Sequence, residues 1–181
     1  MSEGPVLAGA SAARIAPVRA SDDLAQVTAL FRDYAASLDV DLCFQGFEEE
    51  LAGLPGAYAP PRGELLLAKG PDGAALGCIA LRPLSGQACE IKRLYVRPDA
   101  RGRDLGTALV GAITSTAQAL GYGEIKLDTL PSMTAAIRLY RSLGFEPIPD
   151  YGGAPYPGLL CFAKTLPGFP SPSVRTRTPL T

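Results

Sequence analysis

The spacing of apolar residues changes several times along the chain, and each spacing predicts a different element. Residues 14–19 form a short extended run. A helix capped by Ser21 is expected next, because apolar side chains then recur three or four positions apart. They are Leu24, Val27, Phe31, Tyr34 and Leu38. A second, short helix is expected at residues 47–54, and the proline-rich stretch 55–61 ends it.

Three aliphatic runs predict a meander of antiparallel strands at residues 64–69, 75–84 and 88–96. Turn-forming residues separate them at 70–73 and 85–86. The short connections indicate that neighbouring strands run in opposite directions.

The second half of the chain alternates between helical and extended patterns. Helices are expected at residues 103–120 and 132–143, and Gly144 is placed to form the left-handed cap of the second. Further strands are expected at residues 124–129, 145–148 and 159–164. The chain therefore predicts an α+β fold, with a mixed, mostly antiparallel sheet of about seven strands and helices on both faces.

The 181 residues fit one domain of ordinary size, expected at residues 14–165. Residues 1–13 have no apolar pattern and predict a flexible N-terminal tail. Residues 166–181 are rich in proline, serine and threonine and predict a C-terminal tail.

Basic and acidic residues are nearly balanced, 17 against 18, and histidine is absent. The balance provides no global field that would attract nucleic acid or an anionic membrane, so neither is expected as a partner. The lack of histidine excludes imidazole-dependent triads and histidine-ligated zinc, and no metal is expected. Proton transfer is left to carboxylates, tyrosine, lysine or cysteine.

Four widely spaced cysteines form no Cys-x-x-Cys pair: Cys43, Cys78, Cys89 and Cys161. This spacing is typical of reduced, mostly buried thiols. There is no signal-like stretch and no run of about 20 apolar residues. We therefore expect a soluble, cytoplasmic protein.

Five of the 17 basic residues fall within twelve positions. They are Lys92, Arg93, Arg97, Arg101 and Arg103. The last two belong to Arg-Gly-Arg-Asp-Leu-Gly at 101–106, where the long helix starts and its free N–H groups can bind a phosphate. Neither the P-loop pattern nor Gly-x-Gly-x-x-Gly is present, and a solvated basic loop is the alternative interpretation.

Three segments carry a family resemblance: CEIKRLYVRPDARGRDLGTALV at residues 89–110, EIKLDT at 124–129 and TAAIRLYRSLGFEPI at 134–148. Their order and spacing strongly resemble the GNAT superfamily of acetyl-CoA-dependent N-acetyltransferases. The resemblance covers about residues 13–165, and its specific part is residues 89–148.

The resemblance implies that the strand ending at residues 94–96 splays from the next parallel strand. Acetyl-CoA would lie in the gap, with its pantetheine arm against the open backbone and its pyrophosphate at the helix start. The implied cofactor-binding residues are Leu94, Tyr95, Val96, Arg101, Gly102, Arg103, Asp104, Leu105, Gly106, Thr107, Met133 and Tyr140.

The chain departs from the family pattern at two of these positions. Asp104 stands where glycine is usual, and its carboxylate would repel a pyrophosphate by about 1 kcal/mol unless it points outward. Met133 stands where many members have an asparagine that fixes the pantetheine arm. Weaker or differently anchored cofactor binding is therefore expected.

Acetyl transfer to an amine needs a base for the ammonium and an acid for the leaving thiolate. Glu90 stands where several family members place the base, and its apolar neighbours would raise its pKa; pairing with Lys92 or another cation is the alternative. Asp128 is the alternative base or an anchor for the substrate cation, unless it only caps the following turn. Tyr140 matches the family's proton donor to the sulfur of CoA.

The family builds its acceptor side from the first two helices and the loop between them. Here that region carries eight carboxylates against Arg32 alone: Asp22, Asp23, Asp33, Asp39, Asp41, Glu48, Glu49 and Glu50. An acidic wall would favour a cationic amine, such as a polyamine or a lysine-bearing peptide, whereas ordinary solvated helix faces are the alternative. The candidate substrate-binding residues are Phe44, Phe47, Tyr58, Asp128, Tyr151 and Tyr156.

The expected function is an N-acetyltransferase that transfers an acetyl group from acetyl-CoA to a primary amine of a small molecule or peptide by direct attack. A non-catalytic acyl-CoA-binding sensor or interaction module is the alternative, favoured by the departures at residues 104 and 133. A homodimer is left open, because exposed strands at the C-terminal end often support dimers in this family.

Overall fold

The computed structural model describes residues 13–42, 46–152 and 158–168. Within them, the four α-helices are α1 (Ser21–Ala36), α2 (Phe47–Ala52), α3 (Leu105–Ala119) and α4 (Thr134–Ser142). The seven strands of the same residues are β1 (Arg14–Pro17), β2 (Glu64–Lys69), β3 (Ala75–Pro83), β4 (Ala88–Val96), β5 (Glu124–Thr129), β6 (Glu146–Ile148) and β7 (Leu160–Thr165). Single 3-10 turns lie at Gly56–Tyr58 and Pro98–Ala100.

The strands form one sheet in the order β1-β2-β3-β4-β5-β7-β6. β4 and β5 run parallel, and each of the other neighbouring pairs is antiparallel. The connection between the parallel strands contains α3, as the long crossover of a parallel pair requires. The predicted α+β class with a mixed sheet of about seven strands is confirmed.

Alternating side chains build a separate apolar layer on each face of the sheet. Leu65 and Leu67 of β2 pack with α1 and α2, whereas Leu66 and Ala68 pack with α3 and α4. Helices therefore cover both faces, as predicted.

A bulge at Arg93 reverses this alternation within β4. Arg93 has a φ of +57°, and the pairing of β4 with β3 shifts register between residues 78 and 80. Ile91 packs on the α3 side, whereas Tyr95, an even number of residues later, packs on the α1 side. The inserted residue thus turns the end of the strand over relative to its start.

Several predicted boundaries are corrected by local backbone geometry. α3 begins at Leu105 rather than at residue 103 because Gly102 and Asp104 have φ values of +77° and +55°, outside the helical range. The predicted Ser21 cap is wrong: the helix begins at Ser21, and Ala20 holds the cap position without a side-chain hydrogen bond. The left-handed conformation of Gly144 is confirmed by its φ of +83°.

The packed chain extends one residue beyond the predicted domain boundary. Leu166 is 1% exposed, and its N–H donates to the carbonyl of Gly123, so it belongs to the core. Residues 1–12 and 169–181 of the predicted tails lie outside the described residues. Among the helices that the structure describes, none is long and apolar enough to cross a membrane.

Candidate active site

The parallel strands β4 and β5 separate soon after they begin. Their register pairs residues 88–90 with 124–126 and extends no further. Beyond it, Arg97 donates its N–H to Leu76 of β3. Because neighbouring residues point their main-chain groups to opposite edges of a strand, those of Val96 and Leu94 face the gap. The predicted splay is confirmed.

A groove of about 720 Å³, which we call the long groove, extends from this gap along the start of α3. The end of β4, the loop before α3 and the first turn of α4 surround it. Of the predicted cofactor residues it is lined by Leu94, Tyr95, Val96, Arg101, Gly102, Asp104, Leu105, Gly106, Thr107 and Met133. Arg103 is exposed and does not line the groove, and Tyr140 lines a neighbouring space instead.

The loop before α3 presents main-chain donors to the long groove. Asp104 precedes the helix and makes no side-chain cap hydrogen bond, so the first N–H groups of α3 have no partner within the helix. Its left-handed φ explains why glycine suits this position, and aspartate is among the side chains that tolerate it best. With the positive end of the helix dipole beside it, the loop fits a phosphate group.

A second, smaller space of about 50 Å³, the junction cavity, continues the long groove toward the sheet. Tyr34, Leu94 and Met133 line both spaces. Tyr140 and Asp128 both line this cavity. The Tyr140 side chain is buried, and this burial raises the pKa of its phenol, which therefore stays protonated at neutral pH.

On its other side the junction cavity meets a space of about 230 Å³ lined mainly by charged side chains, the charged cavity. Lys92, Arg93 and Asp128 line both. Arg82 Nε donates to Glu90 Oε2 at 2.6 Å. Lys92 Nζ lies 3.6 Å from Glu90 Oε1 and 3.1 Å from Asp128 Oδ1. Four charged groups from three adjacent strands thus form a row.

Glu90 is enclosed and paired. Burial alone would raise its pKa, but Lys92, Arg82 and the hydroxyl of Tyr151, which donates to Oε1 at 2.7 Å, together lower it. The predicted raised pKa is therefore wrong, and the alternative that Glu90 pairs with nearby cations is confirmed. The sequence shows the apolar neighbours and Lys92 on β4 but not Arg82 or Tyr151, the second of which lies 61 positions away.

A buried ion pair that sequence analysis missed joins the bulge of β4 to α2. Arg93 Nη2 and Nε lie 2.5 Å and 3.1 Å from the two carboxylate oxygens of Glu50. The hydroxyl of Tyr58 donates to the same carboxylate, and the guanidinium lies over the rings of Tyr34 and Phe47. Burial would raise the pKa of Glu50, but its bonds to Arg93 lower it. No local pattern joins two residues 43 positions apart.

Removing the carboxylate charge from this pair is expected to destabilise the fold. Glu50→Gln should lower the free energy of unfolding by about 3 kcal/mol, because the buried Arg93 guanidinium loses its counter-charge. Glu48→Gln is the matched control: its partner Arg32 and Glu48 itself are 57% and 65% exposed, so we expect less than about 0.5 kcal/mol. Urea unfolding measures both, and equal losses would contradict a stabilising role of the buried pair.

The lowered pKa values of Glu50 and Glu90 predict a loss of stability in acid. Such a carboxyl contributes fully above its unfolded pKa of about 4.3, and the contribution is lost as pH falls through the lower folded value. Denaturant titrations from about pH 6 to about pH 3 should show this fall in the wild type. The fall should be smaller in Glu50→Gln, and a flat wild-type profile would contradict the pairing.

The predicted acceptor-side aromatic residues separate into two groups. Tyr151 lines the charged cavity. Phe47 and Tyr58 are 5% and 3% exposed, and their rings fill the layer between the sheet and the first two helices. Neither of these two lines the charged cavity, and their part in acceptor binding stays a prediction. Phe44 and Tyr156 lie outside the described residues.

The acids of the first two helices do not line the charged cavity as an acidic wall. Asp23 pairs with Lys69, and Glu48 pairs with Arg32. Glu50 is the one of the eight, all within the described residues, that lines the charged cavity, and an arginine neutralises it there. The cavity instead carries both signs of charge.

The described residues offer few groups that could bind a metal ion or react as a thiol. Within residues 13–42, 46–152 and 158–168, no cluster of three or more acidic or cysteine side chains is placed to hold a metal ion. Cys78, Cys89 and Cys161 are free and buried, and Cys43 lies outside the described residues.

The site has three features of the acyl-transferring folds that the sequence resembles. They are a splayed parallel strand pair, a helix start with free N–H groups beside it, and a tyrosine and a carboxylate in the junction cavity. The model of the acetyltransferase (GNAT) family matches residues 28–145. The chain belongs to this family.

Comparison with individual proteins agrees with this assignment. The chain is 41% identical over 147 residues to an uncharacterized N-acetyltransferase of Schizosaccharomyces pombe, covering 81% of this chain and 90% of the relative. It is 32% identical over 130 residues to aminoglycoside N(6')-acetyltransferase type 1 of Klebsiella aerogenes, covering 67% and 80%. The fold matches that of yncA from Salmonella typhimurium, solved with its cofactor acetyl-CoA, with a TM-score of 0.64, 20% identity and coverage of 90% and 98%.

Proposed function

We propose that this protein transfers the acetyl group of acetyl-CoA to a primary amine by direct attack of the amine on the thioester. The observation that carries the proposal is the position of the junction cavity, which is lined by Asp128 and Tyr140 and shares lining residues with the long groove on one side and with the charged cavity on the other. An acyl donor can enter from one end and an amine from the other. The Salmonella protein is solved with acetyl-CoA, and the Klebsiella relative is named as an acetyltransferase of an aminoglycoside.

The residues of the long groove fit acetyl-CoA, which when bound supplies an activated acetyl thioester. The N–H groups at the start of α3 would hold the pyrophosphate. The main chain of Leu94 and the N–H of Val96 would pair with the pantetheine arm, since the Val96 carbonyl already accepts from Arg101 Nε at 3.0 Å. An N–H group of this strand end would polarise the thioester carbonyl. Met133 lines the same groove beside it.

Asp128 is the base favoured by its position. It is 25% exposed and lies where the junction cavity meets the charged cavity. Glu90 is 3% exposed, lies away from the junction, and is held by cations that lower its pKa. Asp128 therefore accepts the proton of the acceptor ammonium, which frees the nitrogen lone pair for attack. Glu90 positions Lys92 and Arg82.

Tyr140 is the acid. Its raised pKa keeps the phenol protonated until the C–S bond breaks, and the phenol then donates its proton at the sulfur. The amine nitrogen gains the acetyl group and loses one proton to Asp128, and CoA leaves as the thiol.

The release of CoA thiol from acetyl-CoA with a panel of amines tests this function. We expect thiol release above the rate without an amine, together with an N-acetylated product in the mass spectrum. Tight binding of acetyl-CoA without turnover on any amine would contradict the enzyme and favour a non-catalytic sensor module.

Neutralising Asp104 is expected to strengthen the binding of acetyl-CoA. Asp104→Asn keeps a side chain that tolerates the left-handed φ but removes a charge beside the pyrophosphate, so Kd should fall about fivefold, corresponding to about 1 kcal/mol. Asp99→Asn is the control, because Asp99 is 70% exposed and outside the groove lining. Titration calorimetry measures both Kd values, and an equal effect of the two substitutions would contradict a local repulsion.

A further inference from the structure

The row of charged groups in the charged cavity ends in a cation on one side and in an anion on the other. It runs from Arg82 through Glu90 and Lys92 to Asp128. The two inner side chains are enclosed, with 3% exposure for Glu90 and 12% for Lys92. The two outer ones are more open, with 39% for Arg82 and 25% for Asp128. A ligand therefore meets opposite charges at the two ends of the row.

Arg82 is the cation of the charged cavity whose terminal N–H groups are available to a ligand. Its Nε is used by Glu90, and among the described residues no hydrogen bond from its terminal Nη1 or Nη2 is found. The other two cations of the cavity are occupied, Arg93 by both oxygens of Glu50 and Lys92 by Glu90 and Asp128. The planar fork of a guanidinium matches a carboxylate, which it can bind through two parallel hydrogen bonds.

Asp128 is the matching place for an ammonium group. Lys92 Nζ contacts its two oxygens at 3.1 Å and 3.3 Å, and a carboxylate has about four lone-pair sites, so acceptor capacity is left. Asp128 also lines the junction cavity together with Tyr140, where the acetyl group is expected.

We propose that the acceptor is a small amino acid, whose carboxylate binds Arg82 and whose amino group is acetylated beside Asp128. This inference rests on the proposed acetyltransferase function and adds the chemical class of the acceptor. The volume of about 230 Å³ lies below the range of about 300–1,000 Å³ that is common for drug-sized ligands, which favours a small molecule over a peptide chain. The C–N bond forms as the thioester C–S bond breaks, and the products are an N-acetyl amino acid and CoA.

Each amino acid should be compared with its own primary amide, which keeps the amine and the shape but lacks the carboxylate charge. We measure kcat/KM by CoA thiol release and expect a preference for the amino acid of about tenfold or more. Equal or better turnover of the amides, or of polyamines, would overturn the inference.

Substitution of Arg82 locates the carboxylate. The ratio of kcat/KM for the amino acid over its amide should fall about tenfold in Arg82→Gln, mainly through the KM of the amino acid, and should partly recover in Arg82→Lys, which keeps the charge. Arg32→Gln is the matched control, an arginine with a single glutamate partner outside the cavity, and should leave the ratio unchanged. An unchanged ratio in Arg82→Gln would overturn the assignment of the carboxylate.

The same assays separate the two proposals. Thiol release with amides or polyamines but with no amino acid overturns this inference and leaves the acetyltransferase function standing. A lack of thiol release with every amine overturns both.

Discussion

Tyr140→Phe is expected to lower kcat by about 100-fold, with little change in the KM for acetyl-CoA. The substitution removes the hydroxyl that protonates the leaving sulfur. It keeps the ring, which packs edge-on against Phe145 with centroids 5.8 Å apart. A positioned general acid contributes about 100-fold to 10,000-fold, so the effect should appear in kcat rather than in binding.

Tyr122→Phe is the matched control for this experiment. Tyr122 is also buried, and its hydroxyl donates to the carbonyl of Arg62 at 2.7 Å, but it lies just before β5, at the opposite end of that strand from Asp128. Its substitution should cost about 1 kcal/mol of stability and leave kcat nearly unchanged. Full kcat in Tyr140→Phe would show that the acid is another group.

Asp128→Asn should lower kcat by about 100-fold, whereas Glu90→Gln should lower it less than tenfold. The first substitution removes the carboxylate that borders both the junction cavity and the charged cavity. The second loosens Lys92 and Arg82 and should act mainly on the KM of the acceptor. Both changes replace a carboxylate by the amide of the same shape, so each is the control of the other.

The pH dependence of kcat/KM adds a second readout to this comparison. In the wild type, kcat/KM should decline toward acid pH because the base becomes protonated. This decline should be lost in Asp128→Asn and kept in Glu90→Gln. The reverse order of the two effects would assign the base to Glu90, as the family resemblance alone implies.

Local sequence patterns were sufficient for most of the fold. Apolar periods of two and of three to four residues placed β5 at its observed bounds and α3 within two residues of them. The errors lie where backbone geometry overrides the pattern. Helical periodicity extends to residue 103, but the left-handed Gly102 and Asp104 prevent a helix there. The bulge at Arg93 has no marker in the sequence, since arginine is not a residue that favours a positive φ.

How well the candidate site could be predicted also depended on whether its residues lie close together in the sequence. The cofactor side lies on one continuous segment and its neighbouring helix, so the family motif located the long groove almost completely. The acceptor side depends on contacts between distant segments. Glu50 meets Arg93 across 43 positions, and Tyr151 meets Glu90 across 61. Such pairs reversed the expected pKa shift of Glu90 and placed Arg82, which the sequence did not mark, in the cavity.

Direct attack by the amine requires that no cysteine thiol takes the acetyl group first. Of the three cysteines within the described residues, Cys161 is the one that lines the charged cavity, where it could take the acetyl group first. Burial raises its pKa, so it is a poor nucleophile at neutral pH. We therefore expect no acetyl-enzyme on the pathway.

A single-turnover experiment distinguishes direct attack by the amine from transfer through an acetylated protein. The protein is loaded with acetyl-CoA in slight deficit and mixed with the best amine of the panel, and the acetylated product, free CoA and intact protein mass are followed together. For direct attack we expect N-acetylated amine and CoA to appear at the same rate, while the protein mass never increases by an acetyl group. CoA release that leaves the acetyl group on the protein, or that yields acetate without acetylated amine, would contradict it.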